Sequence, residues 1–287
     1  MAKHILMKFS TKTNYALVSF VQKFFLNLFK LTNTEIHQKK VKRNNISWVL
    51  DLDEVIDFMI YLFGGFDLKG SNTFKNKLKK DDVVFDVGAN IGSFSLAIAD
   101  KIPEGRIFAF EPSDYAFNKF NKNIDFNPLL SPQIETLQAF VTAESKSVPE
   151  GIHASWNVLS DQKKHENHCG ILTPTKGAQS VSLDDLVKLY GVEKLNWLKI
   201  DVDGYEKDVL LGGQNVFINH RPKVFMELCA YSLEEQGTSV EEILGFLIEH
   251  NYEFYGTDET YFATDVSKIV KQIPEMGTIN IFAYPLT

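Results

Sequence analysis

The fold is decided by the stretch Asp81-Asp82-Val83-Val84-Phe85-Asp86-Val87-Gly88-Ala89-Asn90-Ile91-Gly92-Ser93-Phe94-Ser95. Its short apolar run, residues 83–85, is typical of a parallel strand that is covered on both faces. Gly88 and Gly92 allow a sharp turn and a close approach of the backbone to another group. A helix that begins at Ser93 would present its N-terminus to this turn. The stretch therefore predicts a strand, a glycine turn and a helix, an arrangement at which α/β sheets bind nucleotide-like ligands.

The spacing of the turn indicates which ligand suits it. It reads Asp86-x-Gly88-x-x-x-Gly92, whereas a dinucleotide-binding turn reads Gly-x-Gly-x-x-Gly. Without the close pair of glycines there is no evident cradle for a pyrophosphate. An acid at the end of the strand favours a ligand that carries an ammonium or a sulfonium. The alternative is an ordinary strand-to-helix turn that contains two glycines.

Composition and charge restrict the class of protein. The chain has 287 residues, 44% of them hydrophobic, which is enough for a sizeable core in one large or two small domains. Its two cysteines, Cys169 and Cys229, lie far apart, which argues against a disulfide framework or a zinc finger and predicts a reducing, cytoplasmic location.

The formal net charge is −7 overall and +8 over residues 1–47, which leaves −15 for the rest. A main body this acidic is not expected to bind nucleic acid.

The basic leader contains a helical pattern over residues 15–31. Its apolar residues recur at helical spacing, but polar residues such as Lys23 and Lys30 make it too polar to span a bilayer. It has no cleavage site of a secretory signal. Two interpretations stay open: a peripheral helix on an anionic membrane surface, or a helix that packs on the main domain or on a second subunit, which the aromatic content favours. The chain is accordingly divided into a helical leader, residues 1–47, and a main domain, residues 48–287.

Strands and helices alternate along the main domain. A strand followed by a helix opens it at residues 46–63. Further strands are predicted at residues 106–111, 134–141, 195–201, 223–228, 252–255 and 278–284, and helices at residues 113–127 and 240–250. This alternation predicts a mostly parallel sheet with helices on both faces. The one long break, residues 143–178, is a polar connection of a kind that is usually functional or disordered.

Acids end several of the predicted strands. Glu111 follows the second strand, where α/β sheets bond the hydroxyls of a ribose; the alternative is a carboxylate that stabilises the next helix. Asp201 and Asp203 end the fourth strand and Glu227 ends the fifth. Neighbouring carboxylates raise one another's pKa and can prepare one of them as a general base. Asp203 could instead cap the following helix, with Glu206 as its capping-box partner.

The long connection holds further candidate ligand groups. His165-Glu166-Asn167-His168-Cys169 looks like a metal cluster, but a His-x-x-His pair does not place two imidazoles on one helix face, and a solvated loop is favoured. His153, Ser155 and Trp156 could line a substrate pocket. No pattern in the chain requires a metal, so no metal site is predicted.

Four motifs carry a resemblance to a known family. They are Asp86-Val87-Gly88-Ala89-Asn90-Ile91-Gly92, Phe110-Glu111-Pro112, Val181-Ser182-Leu183-Asp184-Asp185-Leu186 and Leu198-Lys199-Ile200-Asp201-Val202-Asp203-Gly204-Tyr205-Glu206. Over residues 48–227 the chain resembles the FkbM family of S-adenosylmethionine-dependent methyltransferases. The family usually reads Asp-Val-Glu-Gly-Ala-Glu where this chain has Asp201-Val202-Asp203-Gly204-Tyr205-Glu206. It also commonly has an acid shortly after the third strand, where this chain has Thr142-Ala143-Glu144.

The resemblance implies an α/β fold of the class I methyltransferase (Rossmann-like) kind. Such a fold is a seven-stranded, mostly parallel sheet with helices on both faces and an antiparallel last strand, here preceded by the helical leader. The resemblance also implies S-adenosylmethionine as the cofactor, and methyl transfer to a hydroxyl of a small molecule or glycan, often a sugar or a polyketide-like acceptor. The residues expected to contact the cofactor are Asp86, Gly88, Ala89, Asn90, Ile91, Gly92, Glu111, Pro112, Ala139, Phe140 and Asp201.

A hydroxyl must lose its proton as it attacks a methyl group, and Asp201 and Glu227 are the candidates for the catalytic base. Asp201 could contact the cofactor instead. Two other classes of protein are kept as alternatives: an NAD-dependent oxidoreductase of the Rossmann type and a non-catalytic nucleotide-binding protein. The absence of Gly-x-Gly-x-x-Gly counts against the first, and the acids at three strand ends count against the second.

Overall fold

Strands and helices alternate through most of the protein, whose computed structural model describes residues 11–65, 68–143, 147–167 and 169–286. In chain order the strands are β1 (Lys39–Arg43), β2 (Ile46–Leu50), β3 (Val83–Val87), β4 (Arg106–Phe110), β5 (Ile134–Leu137), β6 (Ala139–Val141), β7 (Gly151–Ser155), β8 (Ile171–Pro174), β9 (Gln179–Val181), β10 (Trp197–Ile200), β11 (Lys223–Cys229), β12 (Tyr252–Gly256), β13 (Tyr261–Ala263) and β14 (Thr278–Pro285). The helices are α1 (Thr11–Leu31), α2 (Val55–Phe63), α3 (Leu68–Lys75), α4 (Ser93–Ile98), α5 (Asp114–Asp125), α6 (Leu183–Leu189), α7 (Glu206–Leu211), α8 (Ala230–Glu235), α9 (Val240–Glu249) and α10 (Val266–Val270). The alternation predicted from the sequence is confirmed.

Eight of the strands form one mixed sheet in the order β13-β12-β14-β11-β10-β3-β4-β5. The strands from β11 to β5 in this order are parallel to one another. The last strand, β14, lies antiparallel to both of its neighbours, β11 and β12, as expected. The short strand β13 pairs antiparallel with β12 and makes the sheet one strand wider than the seven expected. Its three residues are too few to produce a strand pattern in the sequence.

Successive side chains of the central strands point to opposite faces of the sheet and contribute to two separate cores. Val84 and Trp197 belong to the core beneath helices α1 to α5, and Phe85 and Leu198 belong to the core beneath α6, α7 and α9. Both faces of the sheet are therefore covered by helices, as the sequence predicts. This covering also explains why the central strands are nearly continuous apolar runs.

The prediction of a single strand over residues 134–141 is wrong. The chain leaves the sheet after β5, and Gln138 fixes the break by donating from Nε2 to Asp114 Oδ1 at 2.7 Å and to the Pro112 carbonyl at 3.3 Å. The second part, β6, pairs in parallel with β9 outside the main sheet. This displacement moves Ala139 and Phe140 away from the sheet and onto the wall of the cavity described below.

Helix α1 of the leader packs on the main domain. Gln22 Nε2 donates to the Leu52 carbonyl at 2.8 Å, the rings of Phe25 and Phe58 lie 5.8 Å apart, and Leu26 is buried. This agrees with the packing interpretation of the leader, although the opposite face of α1 stays exposed. None of the helices that the structure describes is long and apolar enough to cross a bilayer.

The hairpin of β1 and β2 spans the division predicted after residue 47. The two strands pair antiparallel, with Lys42 opposite Ser47 and Lys39 opposite Leu50. Because paired strands share their backbone hydrogen bonds, the end of the leader and the start of the main domain form one structural unit. The division after residue 47 therefore falls inside a hairpin.

A buried ionic cluster fixes this N-terminal layer to helix α5. Lys119 Nζ donates to Asp51 Oδ2 at 2.7 Å, to Tyr115 Oη at 2.8 Å and to Asp57 Oδ2. Burial alone would lower the pKa of Lys119, but the two carboxylates outweigh it and raise the pKa above its ordinary value. The ammonium therefore stays charged inside the fold. We refer to Lys119, Asp51 and Asp57 as the closed lysine cluster.

The connection predicted over residues 143–178 is built around the antiparallel hairpin of β7 and β8. Glu54, just before α2, holds this hairpin: it accepts hydrogen bonds from Ser155 Oγ at 2.6 Å and from the Trp156 amide at 3.0 Å. Asn157 Nδ2 adds a bond of 2.7 Å to Asp53 Oδ2. Ser155 is thus bound to the scaffold, and the suggestion that it lines a pocket is wrong. Glu144 and His168 lie outside the described residues.

Candidate active site

A cavity of about 900 Å³ opens at the carboxyl ends of the parallel strands. Strands β3, β4, β10 and β11 supply its floor, and β6, the β7–β8 hairpin, α1 and α2 supply its walls. Ligands of open α/β sheets bind at this edge. Ligand pockets in proteins typically measure about 300–1,000 Å³, so the volume of this cavity lies near the upper end of that range.

The glycine turn after β3 forms part of the cavity floor. Gly88 has φ +80°, and a Cβ atom at this position would overlap the Asp201 carbonyl oxygen, so the position requires glycine. The amides of Gly88 and Ala89 both donate to the Phe110 carbonyl at 3.0 Å. Gly92 has φ +84°, and its Cβ would overlap the ring of Phe120. The close approach expected of both glycines is confirmed, and for both the approaching group belongs to the protein itself.

The carboxylate of Asp86 lies beneath this turn and is fully buried. In the sheet register Asp86 is paired with Lys199, so the two side chains emerge on the same face of adjacent strands. Lys199 Nζ lies 3.1 Å from Asp86 Oδ1, and Ser95 Oγ donates to Asp86 Oδ2 at 2.7 Å. The structure therefore places Asp86 under the cavity floor and against its own chain. Direct contact between Asp86 and a ligand stays a prediction.

Lys199 connects Asp86 to the cavity. Its Nζ donates to the Gly88 carbonyl at 2.8 Å and lies 3.4 Å from Asp201 Oδ2. Burial acts to lower the pKa of Lys199, but Asp86 and Asp201 outweigh it and raise the pKa above its ordinary value. The lysine stays charged and joins β10, the glycine turn and Asp201. We refer to Lys199, Asp86 and Asp201 as the open lysine cluster, because the Asp201 side chain is 45% exposed to the cavity.

Glu111 forms another part of the floor, beyond the end of β4. Its Oε2 accepts a hydrogen bond from the Asn90 amide at 2.9 Å. Its Oε1 accepts bonds from the amide and the hydroxyl of Ser113, at 2.9 Å and 2.6 Å. Burial raises the pKa of Glu111 above its ordinary value, while these three donors act to lower it. The carboxylate is held rigidly, with one oxygen bonded to the glycine turn and one to the start of α5.

An aromatic wall follows from the break between β5 and β6. Pro112, Ala139 and Phe140 all line the cavity. The rings of Phe140 and Tyr205 meet edge to face, with their centroids 5.0 Å apart. Tyr205 stands where the family usually has alanine, so its bulk supports Phe140 from the side of β10. Ile91 and Gly92 are not among the lining residues that the structure describes; Ile91 is buried in the core.

Three carboxylates meet at the ends of β10 and β11. Oxygen atoms of Asp201, Asp203 and Glu227 lie within 4.8 Å of one another. Burial, followed by the charges of the neighbouring carboxylates, raises the pKa of Glu227 well above its ordinary value. A divalent cation could be held by such a group. The prediction that the site needs no metal stays untested.

The suggestion that Asp203 caps the next helix is wrong. Tyr205 occupies the N-cap of α7, and Asp203 has φ +52°, within the turn that precedes it. Glu206 turns back towards this segment and accepts weak hydrogen bonds from the amides of Val202, at 3.4 Å, and Gly204, at 3.3 Å. Asp203 is consequently free of a capping role, and its carboxylate faces the cavity.

The hairpin side of the cavity carries two histidines. The rings of His153 and His165 lie 4.7 Å apart, and His165 Nε2 lies 3.3 Å from Glu235 Oε2. Both histidines, together with Trp156, line the cavity. His153 and Trp156 thus line the cavity, and a role for them in binding the substrate stays a prediction. His165, expected in a solvated loop, instead lies half-buried beside Glu235.

The cavity lining is strongly acidic. Its carboxylates are those of Glu111, Asp201, Asp203, Glu227 and Glu235. Lys199 is the only lysine or arginine among the lining residues that the structure describes, and its charge is already paired with two aspartates. A pyrophosphate would find no available cation here, whereas a sulfonium and an ammonium would be attracted. The residues present therefore fit the cationic end of S-adenosylmethionine.

Sequence reasoning did not assign a role to several of these residues. The signal for Lys199 is a lysine between Leu198 and Ile200 in an apolar strand, since a buried charge needs a partner. Tyr15 and Val18 of the leader also line the cavity. No pattern in the sequence connects them with residues more than a hundred positions away.

The strand order and the cavity at the carboxyl ends of the strands are those of the class I methyltransferase fold, and the acidic lining suits a cationic ligand. The chain belongs to the family described as the methyltransferase FkbM domain, whose family model matches residues 86–254. The resemblance seen in the motifs is thereby confirmed, with S-adenosylmethionine as the cofactor. Family membership also argues against both alternatives, the oxidoreductase and the non-catalytic binding protein.

Several relatives of the chain are named as methyltransferases. It is 27% identical over 160 residues to methyltransferase sdnD of Sordaria araneosa, covering 47% of this chain and 61% of that protein. It is 29% identical over 140 residues to the hexuronic acid methyltransferase AglP of Haloferax volcanii, covering 48% of this chain and 52% of that protein. It is 26% identical over 183 residues to the 2-O-methyltransferase NoeI of Sinorhizobium fredii, covering 59% of this chain and 72% of that protein. The first two alignments span little more than half the length of these relatives.

Among solved structures, the chain is similar to an S-adenosylmethionine-dependent O-methyltransferase from Thermotoga maritima. The match covers 88% of this chain and 78% of that one, with 13% identity and a TM-score of 0.43. At this identity and overlap it says nothing about the acceptor.

Proposed function

We propose that this methyltransferase acts on a hydroxyl of a sugar, a glycan or a polyketide-like small molecule by direct displacement. The observation that carries the proposal is the group of carboxylates of Asp201 and Glu227, beside the glycine turn and inside one cavity. A hydroxyl acceptor needs such a proton acceptor, whereas an amine that is already neutral does not. Two relatives support the acceptor class by their names, which specify hexuronic acid and 2-O transfer.

The cofactor would lie along the floor of the cavity. When bound, S-adenosylmethionine supplies a methyl group that is already activated on a sulfonium. The glycine turn leaves room for a close approach, and Glu111 Oε2, which accepts one bond from the Asn90 amide, keeps a lone pair for a ribose hydroxyl. Pro112, Ala139 and Phe140 would border the adenine, and Asp201 would face the cationic end of the molecule.

The proton of the acceptor would pass to Glu227. Burial and the neighbouring carboxylates raise the pKa of Glu227, which makes it a stronger base than an ordinary glutamate. Asp201 is held by Lys199 and would keep the acceptor and the cofactor aligned. Alignment matters because the reaction needs the attacking oxygen directly behind the methyl group.

The test uses the variants Asp201→Asn and Glu227→Gln, with Glu104→Gln as a control in an exposed ion pair with Lys80. Transfer of labelled methyl groups is measured with uronic acid oligosaccharides, neutral oligosaccharides and hydroxylated polyketides as acceptors. We expect each site variant to lose roughly 100-fold or more in rate, as is common when a general base is removed, and the control to retain full activity. Full activity in both site variants would remove these carboxylates from the chemistry. Transfer to amines with none to any hydroxyl would contradict the acceptor class.

A chelator separates the two ways in which the carboxylate group could work. If Glu227 acts as a proton acceptor without a metal, then EDTA leaves the rate unchanged. If Asp201, Asp203 and Glu227 instead hold a divalent cation, then EDTA abolishes transfer and added Mg²⁺ or Mn²⁺ restores it. The second result would replace the base assignment with a metal-assisted one and leave methyl transfer to a hydroxyl in place.

A further inference from the structure

Helix α1 carries a second apolar face that nothing in the described structure covers. Its side chains recur at helical spacing over more than four turns and are exposed; they are Leu17, Phe20, Val21, Phe24, Leu28 and Leu31. Phe20 is 75% exposed and Leu31 is 83% exposed. We refer to these six residues as the outer stripe. A continuous exposed apolar surface of this kind is typical of an interaction site.

The opposite face of the same helix is fixed to the main domain. Gln22 bonds to the Leu52 carbonyl, Phe25 packs on Phe58, Phe29 packs on Tyr61, and Leu26 is buried. Because this face is occupied, the helix cannot rotate to bury the outer stripe against its own domain. The outer stripe can therefore contact only water, a second molecule or a lipid surface.

The charges around the outer stripe favour an anionic surface. Helix α1 contains no Asp or Glu, and Lys23 and Lys30 are exposed at positions that run along one edge of the stripe. The leader as a whole carries a net charge of +8, against −15 for the rest of the chain. Two copies meeting symmetrically through this face would bring lysines together with no acid of the helix between them. Anionic lipid headgroups would instead complement these lysines while the acyl region accepts the aromatic side chains.

The helix that carries the outer stripe also forms part of the cavity wall. Tyr15 and Val18 of the same helix line the cavity, and Tyr15 Oη accepts a hydrogen bond of 2.9 Å from Lys164 of the β7–β8 connection. Val55, Ile56 and Met59 of α2 continue the apolar wall on this side. A surface bound to the outer stripe would consequently hold the cavity close to that surface.

We propose that the outer stripe of α1 docks the protein on an anionic membrane surface. The helix lies in the plane of the interface, with Phe20, Phe24 and Leu28 in the headgroup and acyl boundary and with Lys23 and Lys30 at the phosphates. Methyl transfer is then carried out beside the membrane. Docking itself needs neither the cofactor nor an acceptor.

The test is co-sedimentation of the full chain with vesicles of phosphatidylcholine alone and with vesicles that contain phosphatidylglycerol. We expect binding to the anionic vesicles only. Raising the salt from about 0.1 M to about 1 M, which shortens the Debye length from about 10 Å to about 3 Å, should weaken it. The double variant Phe20→Ser/Phe24→Ser should bind about tenfold more weakly or worse, because interfacial binding scales with buried apolar area. Lys23→Gln and Lys30→Gln should each weaken binding about fivefold.

A control is Leu129→Ser, which removes an even more exposed apolar side chain, 90% exposed, from a loop outside the leader. It should bind the vesicles like the unchanged protein, and circular dichroism should show that all variants are folded. Equal loss in Leu129→Ser, or no binding by the unchanged protein, would overturn the proposal. So would a dimer in sedimentation equilibrium that dissociates in Phe20→Ser/Phe24→Ser, since it would assign the stripe to a second copy. These outcomes are independent of methyl transfer. Failure of docking would not contradict the proposed reaction, and failure of the reaction would not contradict docking.

Discussion

The closed and open lysine clusters use the same chemistry in two regions of the molecule. Lys119 and Lys199 are both buried, and each bridges two aspartates. In the closed cluster the partners are themselves buried, with 11% of the Asp51 side chain and 1% of the Asp57 side chain exposed. In the open cluster Asp86 is fully buried, but 45% of the Asp201 side chain is exposed to the cavity.

The difference separates a scaffold role from a site role. In the closed cluster all three side chains are buried and paired with one another, so Lys119 serves to fix the N-terminal layer on α5. The open cluster offers one carboxylate to the cavity while the other two members hold it in place. Buried ion pairs contribute little net stability when intact, but removing one partner is costly because a buried charge is left unpaired. The two lysines can therefore be compared by the same substitution, lysine to methionine.

The largest expected effect is on stability in Lys119→Met. The substitution leaves Asp51 and Asp57 buried without a counter-charge, and we expect the free energy of unfolding to fall by about 3–5 kcal/mol. Denaturant titration followed by circular dichroism measures it. A loss below about 1 kcal/mol, the worth of a typical surface pair, would show that the closed cluster is not the clamp described.

The next effect is on the reaction in Lys199→Met. The substitution releases Asp201 and the glycine turn from their common ammonium, and a misplacement of about 1 Å can cost roughly 100-fold in rate. We expect kcat/KM for S-adenosylmethionine to fall by about that factor, while Lys119→Met, assayed at a temperature at which it is folded, stays within about twofold of the unchanged protein. Equal losses in the two variants would erase the distinction between the clusters.

A smaller effect is expected in Glu111→Gln, which keeps the shape of the side chain and removes its charge. Hydrogen bonds to a charged group are worth about 1.5–3 kcal/mol and those to a neutral group about 0.5–1.5 kcal/mol, so the change of acceptor should weaken binding of S-adenosylmethionine by roughly 10-fold. Titration calorimetry measures it. Glu135→Gln, on the exposed surface in an ion pair with Arg106, is the matched control and should bind normally. Unchanged affinity in Glu111→Gln would mean that Glu111 only braces the glycine turn.

The smallest effect concerns pH. Glu227 must be deprotonated to accept a proton, and burial together with the carboxylates of Asp201 and Asp203 raises its pKa above the ordinary value of 4.5. The pH–rate profile should therefore have a rising limb that lies above pH 4.5, and the profile of Glu227→Gln should lack this limb. Lys119→Met should keep the limb, because the closed cluster is not exposed to the cavity. A limb that persists in Glu227→Gln would assign the base to another group.

The local parts of this structure could be predicted from the sequence. Strands β3, β4, β10 and β11 are short apolar runs, and the Gly88–Gly92 turn follows from residues that are adjacent in the chain. The positions of Glu111, Asp201 and Glu227 followed in turn, because parallel strands end at a common edge. Each of these signals lies within a few residues of the element that it predicts.

The parts that could not be predicted depend on register and on long-range packing. Lys199 meets Asp86 only because β10 and β3 pair in one register, although 113 residues separate the two side chains in the chain. The break at Gln138 depends on its bonds to Asp114 and Pro112, and the positive φ of Asp203 has no sequence signal comparable to glycine. Helical spacing in the leader showed an apolar helix. It did not show that one apolar face would be buried and the other left exposed.

We infer that the open lysine cluster belongs to the cofactor site and the closed lysine cluster to the scaffold. The most direct test is calorimetric titration of S-adenosylmethionine into Lys199→Met and Lys119→Met. Both variants are measured side by side at a temperature at which both are folded. We expect the affinity to fall about tenfold or more in Lys199→Met, since Asp201 and the glycine turn lose the ammonium that holds them in place, and to stay within about twofold in Lys119→Met. Equal affinities in the two variants, or a greater loss in Lys119→Met, would contradict it.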